Sequence, residues 1–138
     1  MAVYWDEEVC PEQDRKLSKW FKELGDRNLN FDKSRSVTHT FVDASCQAYG
    51  AVVYIRNPED ECAKSNMVWS KNKIVPLKTV SVPRLELMAA VLGMKLTQTI
   101  CRALEYDMRK TVLWSDSLNV LYWIRNQSRL FKPFVANR

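Results

Sequence analysis

The chain has 138 residues, 46% hydrophobic and 27% charged, which suits one packed domain and excludes a largely disordered or low-complexity chain. Lysine and arginine at 21 positions against aspartate and glutamate at 16 leave a net charge of +5, compatible with a polyanionic partner but common in proteins without one. Cys10, Cys46, Cys62 and Cys101 form no CxxC pair and one histidine cannot complete an ordinary zinc site, so reduced thiols in an intracellular protein, cytoplasmic or nuclear, are expected. No basic-then-apolar leader opens the sequence, and no apolar run approaches the roughly 18 residues of a bilayer span, so a soluble protein with no membrane partner is expected.

Residues 1–31 are charged, with Leu17, Trp20, Phe21 and Leu24 recurring at i, i+3, i+4, i+7. That spacing predicts an amphipathic helix over about residues 11–24, stopped by Gly25. Its stripe must dock, either on the main domain or on a neighbouring one. A polar connector over 28–36 follows, so the expected division is a connector, 1–36, and a domain, 37–138. Two strand-forming runs, 38–42 and 49–55, flank the turn-prone segment Asp43-Ala44-Ser45-Cys46-Gln47 and predict a β-hairpin. Alternation sends His39, Phe41 and Asp43 to one side of the first strand and Thr38, Thr40 and Val42 to the other. Phe41 is expected in the core, with His39 a structural residue.

A turn at residues 57–61 leads to a third strand over 66–75, and a loop with two prolines over 76–83. The longest helical signal covers 84–104, with Pro83 placed where the first turn tolerates a missing N–H and Glu86 expected in that turn, where the helix dipole favours an anion. Leu85, Met88, Leu92, Leu96 and Ile100 form its apolar stripe, and Glu86, Ala90, Gly93 and Thr97 a face that lets another backbone approach closely. The continuously apolar run 111–115 predicts a strand buried on both faces. It ends in Asp116-Ser117, and a helix over 118–126 follows. Trp69, Trp114 and Trp123 are expected in the core.

The order strand, strand, strand, helix, strand, helix predicts an α/β layer: three antiparallel strands, a crossover helix and a parallel fourth strand beside the first. Asp43 and Asp116 then fall close together at one edge of the sheet, and the start of the crossover helix brings Glu86 towards them. Such a cluster is tolerable when divalent cations neutralise it, and oxygen-only ligation suits Mg²⁺ or Mn²⁺, which support phosphodiester hydrolysis. Each acid also has an ordinary use: Asp43 to open an Asx turn, Asp116 with Ser117 as a helix N-cap, Glu86 as a dipole partner. Lys71, Lys73, Lys78 and Arg84, in or next to the loop before Glu86, are candidates for a phosphate-binding surface, or a solvated basic loop.

The segments FVDASCQAYGAVVY, VPLKTVSVPRLELMAAVLG, VLWSDSLNVLYWI and FKPFVANR closely resemble the ribonuclease H-like region of BEL/Pao-type retrotransposon polyproteins, over about residues 38–138. Residues 1–31 resemble the connector after the reverse transcriptase in such polyproteins. The resemblance implies a ribonuclease H fold and two-metal hydrolysis of the RNA strand of RNA–DNA hybrids, with a reverse transcriptase or integrase region as neighbour. It assigns the metal-binding catalytic roles to Asp43, Glu86 and Asp116. The family's fourth metal-binding aspartate, with its fifth strand and last helix, follows the FVANR-like motif and is not among these 138 residues. Two expectations stand: a ribonuclease H-type hydrolase, either active with three carboxylates or impaired without the fourth, or a non-catalytic nucleic-acid- or protein-binding module. An aspartic protease is disfavoured because its turn needs glycine where Ser45 stands.

Overall fold

A computed structural model of the chain describes residues 34–57, 65–75 and 80–126, together with Arg15, Lys19 and Glu23. Those three single positions are helical and exposed. The apolar stripe expected near them, Lys78, Cys10, Cys62, residues 58–61 of the expected turn, 76–79 of the proline loop, and residues 127–138 lie outside the described residues.

Strands β1 (Val37–Ala44) and β2 (Ala48–Arg56) form the expected hairpin, with Asp43 opposite Gly50 and Ala44 opposite Tyr49. The strand therefore runs two residues further than the sequence suggests. The reason is the turn chemistry: Ser45 Oγ accepts from the backbone N–H groups of Gln47 and Ala48, both at 3.2 Å, and Ser45 N–H donates to Ala48 O at 2.7 Å. β3 (Ser65–Ile74) pairs antiparallel with β2, with a register shift between Val53 and Tyr54. Helix α1 (Val82–Leu104) crosses over, and β4 (Thr111–Trp114) returns parallel to β1 before helix α2 (Leu118–Arg125). The sheet order is β3-β2-β1-β4, a mixed four-stranded α/β sheet with two helices.

Helix α1 lies on the sheet through its small residues. A Cβ added to Gly93 would stand 2.5 Å from Val42 Cγ1 and 3.1 Å from Thr40 Cγ2, so glycine is what lets helix and strand approach. Beside it, Thr97 donates to Gly93 O at 2.8 Å and accepts from Thr40 Oγ1 at 2.5 Å, which satisfies two buried hydroxyls within the contact. Val53, Ile55, Leu85, Ile100 and Val120 are fully enclosed around this contact. By length and composition α1 could cross a bilayer, contrary to the expectation of no such run; 61% of its most apolar window is buried inside the domain instead. Cys101 is a buried free thiol on this helix and Cys46 an exposed one in the hairpin turn.

One expectation about burial fails for three residues together. Phe41 is 44% exposed, Trp114 48% and Val112 38%, so Phe41 and Trp114 are not core residues and β4 is not buried on both faces. Register explains why: Thr38, Thr40, Thr111 and Leu113 face α1, whereas His39, Phe41, Val112 and Trp114 share the opposite face, which no element among the described residues covers. Trp69 and Trp123, as expected, pack against the core.

Candidate carboxylate site

Parallel pairing sets Phe41 level with Trp114, and carrying that register two residues on sets Asp43 level with Asp116 at the same edge of the sheet. Asp43 is the exposed penultimate residue of β1; its Oδ1 accepts the N–H of Ala44 at 2.7 Å. It lines an open depression of about 440 Å³ with Ser45, Gly50, Lys71 and Asn72. Asp116 is exposed in the short link between β4 and α2.

Helix α1 starts at Val82, two residues earlier than the sequence suggests, because Pro83 fits either of the first two helical positions. Its first turn therefore holds no acid, and Glu86 is displaced into the second. There it is half-buried, and its Oε2 accepts a 2.5 Å hydrogen bond from Ser117 Oγ. Ser117 also caps α2 by accepting from Val120 N–H at 3.3 Å. One hydroxyl thus ties the start of α2 to Glu86 and brings the glutamate beside the Asp116-Ser117 link.

None of the three acids serves the ordinary use expected of it. The hairpin turn is closed by Ser45, α2 is capped by Ser117 and not by Asp116, and Glu86 is outside the first turn of α1. As a donor set, three carboxylates with no soft ligand fit a hard divalent cation in kind. They are not gathered into one: among the described residues no three acidic, histidine or cysteine side chains stand close enough to hold a metal ion. The structure links Glu86 to the Asp116 segment and, among the described residues, leaves the Asp43 side chain bonded only to its own neighbour.

The basic candidates are divided. Lys71 and Lys73 are exposed on the edge strand β3, within the strand expected over 66–75 and next to the loop before α1. Lys71 reaches the depression that Asp43 lines; Arg84 is exposed in the first turn of α1. An aromatic cluster that alternation and parallel register could together have revealed lies on the open face of the sheet. Trp114 Nε1–H donates to His39 Nδ1 at 3.0 Å, and the two rings stack at 6.1 Å. Phe41 stacks on Trp114 at 5.9 Å and meets Tyr54 edge-on at 5.9 Å. Burial, and then the charge of Arg56, hold the His39 imidazole below its ordinary pKa.

A family model described as Pao retrotransposon-like RNaseH-like domain matches residues 1–117. No curated protein and no solved structure matches the chain. Ribonuclease H-like domains in general bind nucleic acid and use divalent metals. With most of its length under that match, and with a mixed four-stranded sheet consistent with a ribonuclease H-like fold, the chain belongs to the Pao retrotransposon-like RNaseH-like domain family.

Proposed function

We propose that this domain hydrolyses the RNA strand of RNA–DNA hybrids, with Asp43, Glu86 and Asp116 as its catalytic carboxylates. The observation that carries the reading is the placement of three acids from three separate elements, β1, α1 and the β4–α2 link, around one edge of the sheet while local turn and cap duties fall to serines. In this reading Asp43 and Asp116 would hold Mg²⁺ or Mn²⁺, and Glu86, which accepts from Ser117, would bind one ion and help place the attacking water. The ions, when bound, supply activation of that water and stabilisation of the leaving oxygen. Lys71, Lys73, Lys78 and Arg84 hold the phosphate backbone. A reverse transcriptase or integrase region is the proposed neighbour, and the cell interior, cytoplasm or nucleus, the proposed setting.

A second reading, a non-catalytic nucleic-acid- or protein-binding module, is favoured by one observation: no three ligand-type side chains are gathered among the described residues. Cleavage of a labelled hybrid in Mg²⁺ or Mn²⁺ separates the two. The hydrolase reading expects cleavage by the parent and a loss of about 100-fold or more in Asp43→Asn, the scale of removing one preorganised stabilising group. A well-folded parent that binds hybrid in chelator as tightly as Asp43→Asn, with neither protein ever cutting it, would establish the module.

A further inference from the structure

Helix α1 covers one face of the sheet, and the other carries an apolar surface of Phe41, Trp114, Tyr54, Val112 and Met67, the last 60% exposed. A cavity of about 600 Å³ opens on it, walled by His39, Phe41, Tyr54 and Trp114 with Arg56 at its border. Aromatic side chains joined into one exposed surface on a sheet mark a place where something docks.

The sequence contains a surface that suits it. In the amphipathic helix that the sequence predicts over 11–24, Leu17, Trp20, Phe21 and Leu24 would share one side, opposite Arg15, Lys19 and Glu23, which are helical and exposed. From position 17 to 24 the stripe spans about 10 Å at roughly 1.5 Å per residue. Tyr54, Phe41 and Trp114 sit on three adjacent strands, β2, β1 and β4, whose two spacings of about 4.8 Å give nearly the same span. The segment also arrives on the right side. It joins the sheet at Val37, paired with Arg56, which is the end of β1 and β2 where the cavity lies. The family match runs from residue 1 to 117 and so includes this segment, whereas residues 127–138 fall outside it.

We propose that residues 11–24 dock across the open face of the sheet, laying Leu17, Trp20, Phe21 and Leu24 over Tyr54, Phe41 and Trp114. The segment is then the second layer of the domain, and its presence does not depend on nuclease activity. Docked this way, it removes Trp114 and Phe41 from water and leaves its charged side outward.

The test places a benzoylphenylalanine photo-cross-linker at Phe21 in the full chain and maps its products by mass spectrometry. Cross-links within one molecule to peptides bearing Phe41, Tyr54 or Trp114 are expected. Cross-links to the exposed Leu118, Tyr122 and Ile124 of α2, to residues 127–138, or only in a dimer-sized product would overturn the proposal. Hydroxyl-radical labelling gives a second readout: Trp20→Asp should raise labelling of Phe41 and Trp114 several-fold, and Lys19→Asp should leave it unchanged. If Trp20→Asp has no effect and only added single-stranded oligonucleotide protects these residues, the face belongs to nucleic acid and the proposal fails.

Discussion

Ser117 serves two structures with one hydroxyl, accepting from Val120 N–H as the cap of α2 and donating to Glu86. Ser117→Ala should destabilise the domain by about 1 kcal/mol, the usual cost of losing such a cap, read from thermal melts. Ser117→Thr should recover most of it, since threonine keeps the oxygen. His39 supplies a prediction of the opposite kind, in which pH does the titrating. Burial first and the Arg56 charge second depress its pKa in the folded protein below the ordinary 6.5. The hydrogen bond that Nδ1 accepts from Trp114 acts in the same direction, because it occupies the lone pair a second proton would need. The unfolded chain therefore takes up the proton first as pH falls, so the contribution of His39 is complete above about 6.5 and is lost as pH drops through the folded value. Melts between pH 8 and 5 should show this loss in the parent and not in His39→Phe. As the chain has one histidine, its NMR titration reads the folded midpoint directly, and a value at or above 6.5 would contradict the assignment.

At the scale of elements, the contact of α1 with β1 and β2 decides whether the layer closes. Alanine at Gly93 gains up to about 1 kcal/mol of helix propensity, yet its methyl would sit 2.5 Å from the buried Val42 side chain and 3.4 Å from Ala51. Overpacking of that kind costs about 1–3 kcal/mol, so Gly93→Ala should be net destabilising in urea melts and Gly93→Leu more so. The small-residue face that makes this contact was legible from the 3.6-residue period of Ala90, Gly93 and Thr97, as was the hairpin from its two strand-forming runs. The end of β1 was not, because either Asp43 or Ser45 could chemically begin the turn, and only the geometry chooses Ser45. Nor was the exposure of β4, since a run such as Thr111–Trp114 reads the same whether its sheet is covered on one face or on both. Alternation did separate Phe41 from Val42 correctly, but it could not tell which side α1 would take. That Asp43 and Asp116 fall on neighbouring parallel strands was readable from the topology; the Ser117–Glu86 bond, between residues 31 apart, was not, because no local pattern encodes it.

For the molecule as a whole, the question is how three acids on separate elements behave when a cation is offered. In chelator, Asp43, Glu86 and Asp116 bring like charge to one edge of the sheet, so Asp43→Asn should leave stability unchanged or slightly higher. Adding Mg²⁺ or Mn²⁺ reverses the comparison if the carboxylates bind it, because a ligand held by the folded state alone stabilises that state, by about 2.7 kcal/mol at one hundred times its dissociation constant. The parent should therefore gain melting temperature with increasing cation, Asp43→Asn should gain less, and chelator should return both to their starting values. The crossing of the two proteins is the informative part. A general effect of salt on a chain of net charge +5 would move parent and variant together, so only a shift that depends on Asp43 reports a site. Parallel shifts in a well-folded pair would mean that these carboxylates do not capture an ion in this chain, in agreement with their separation among the described residues, and the binding-module reading would then stand in place of hydrolysis.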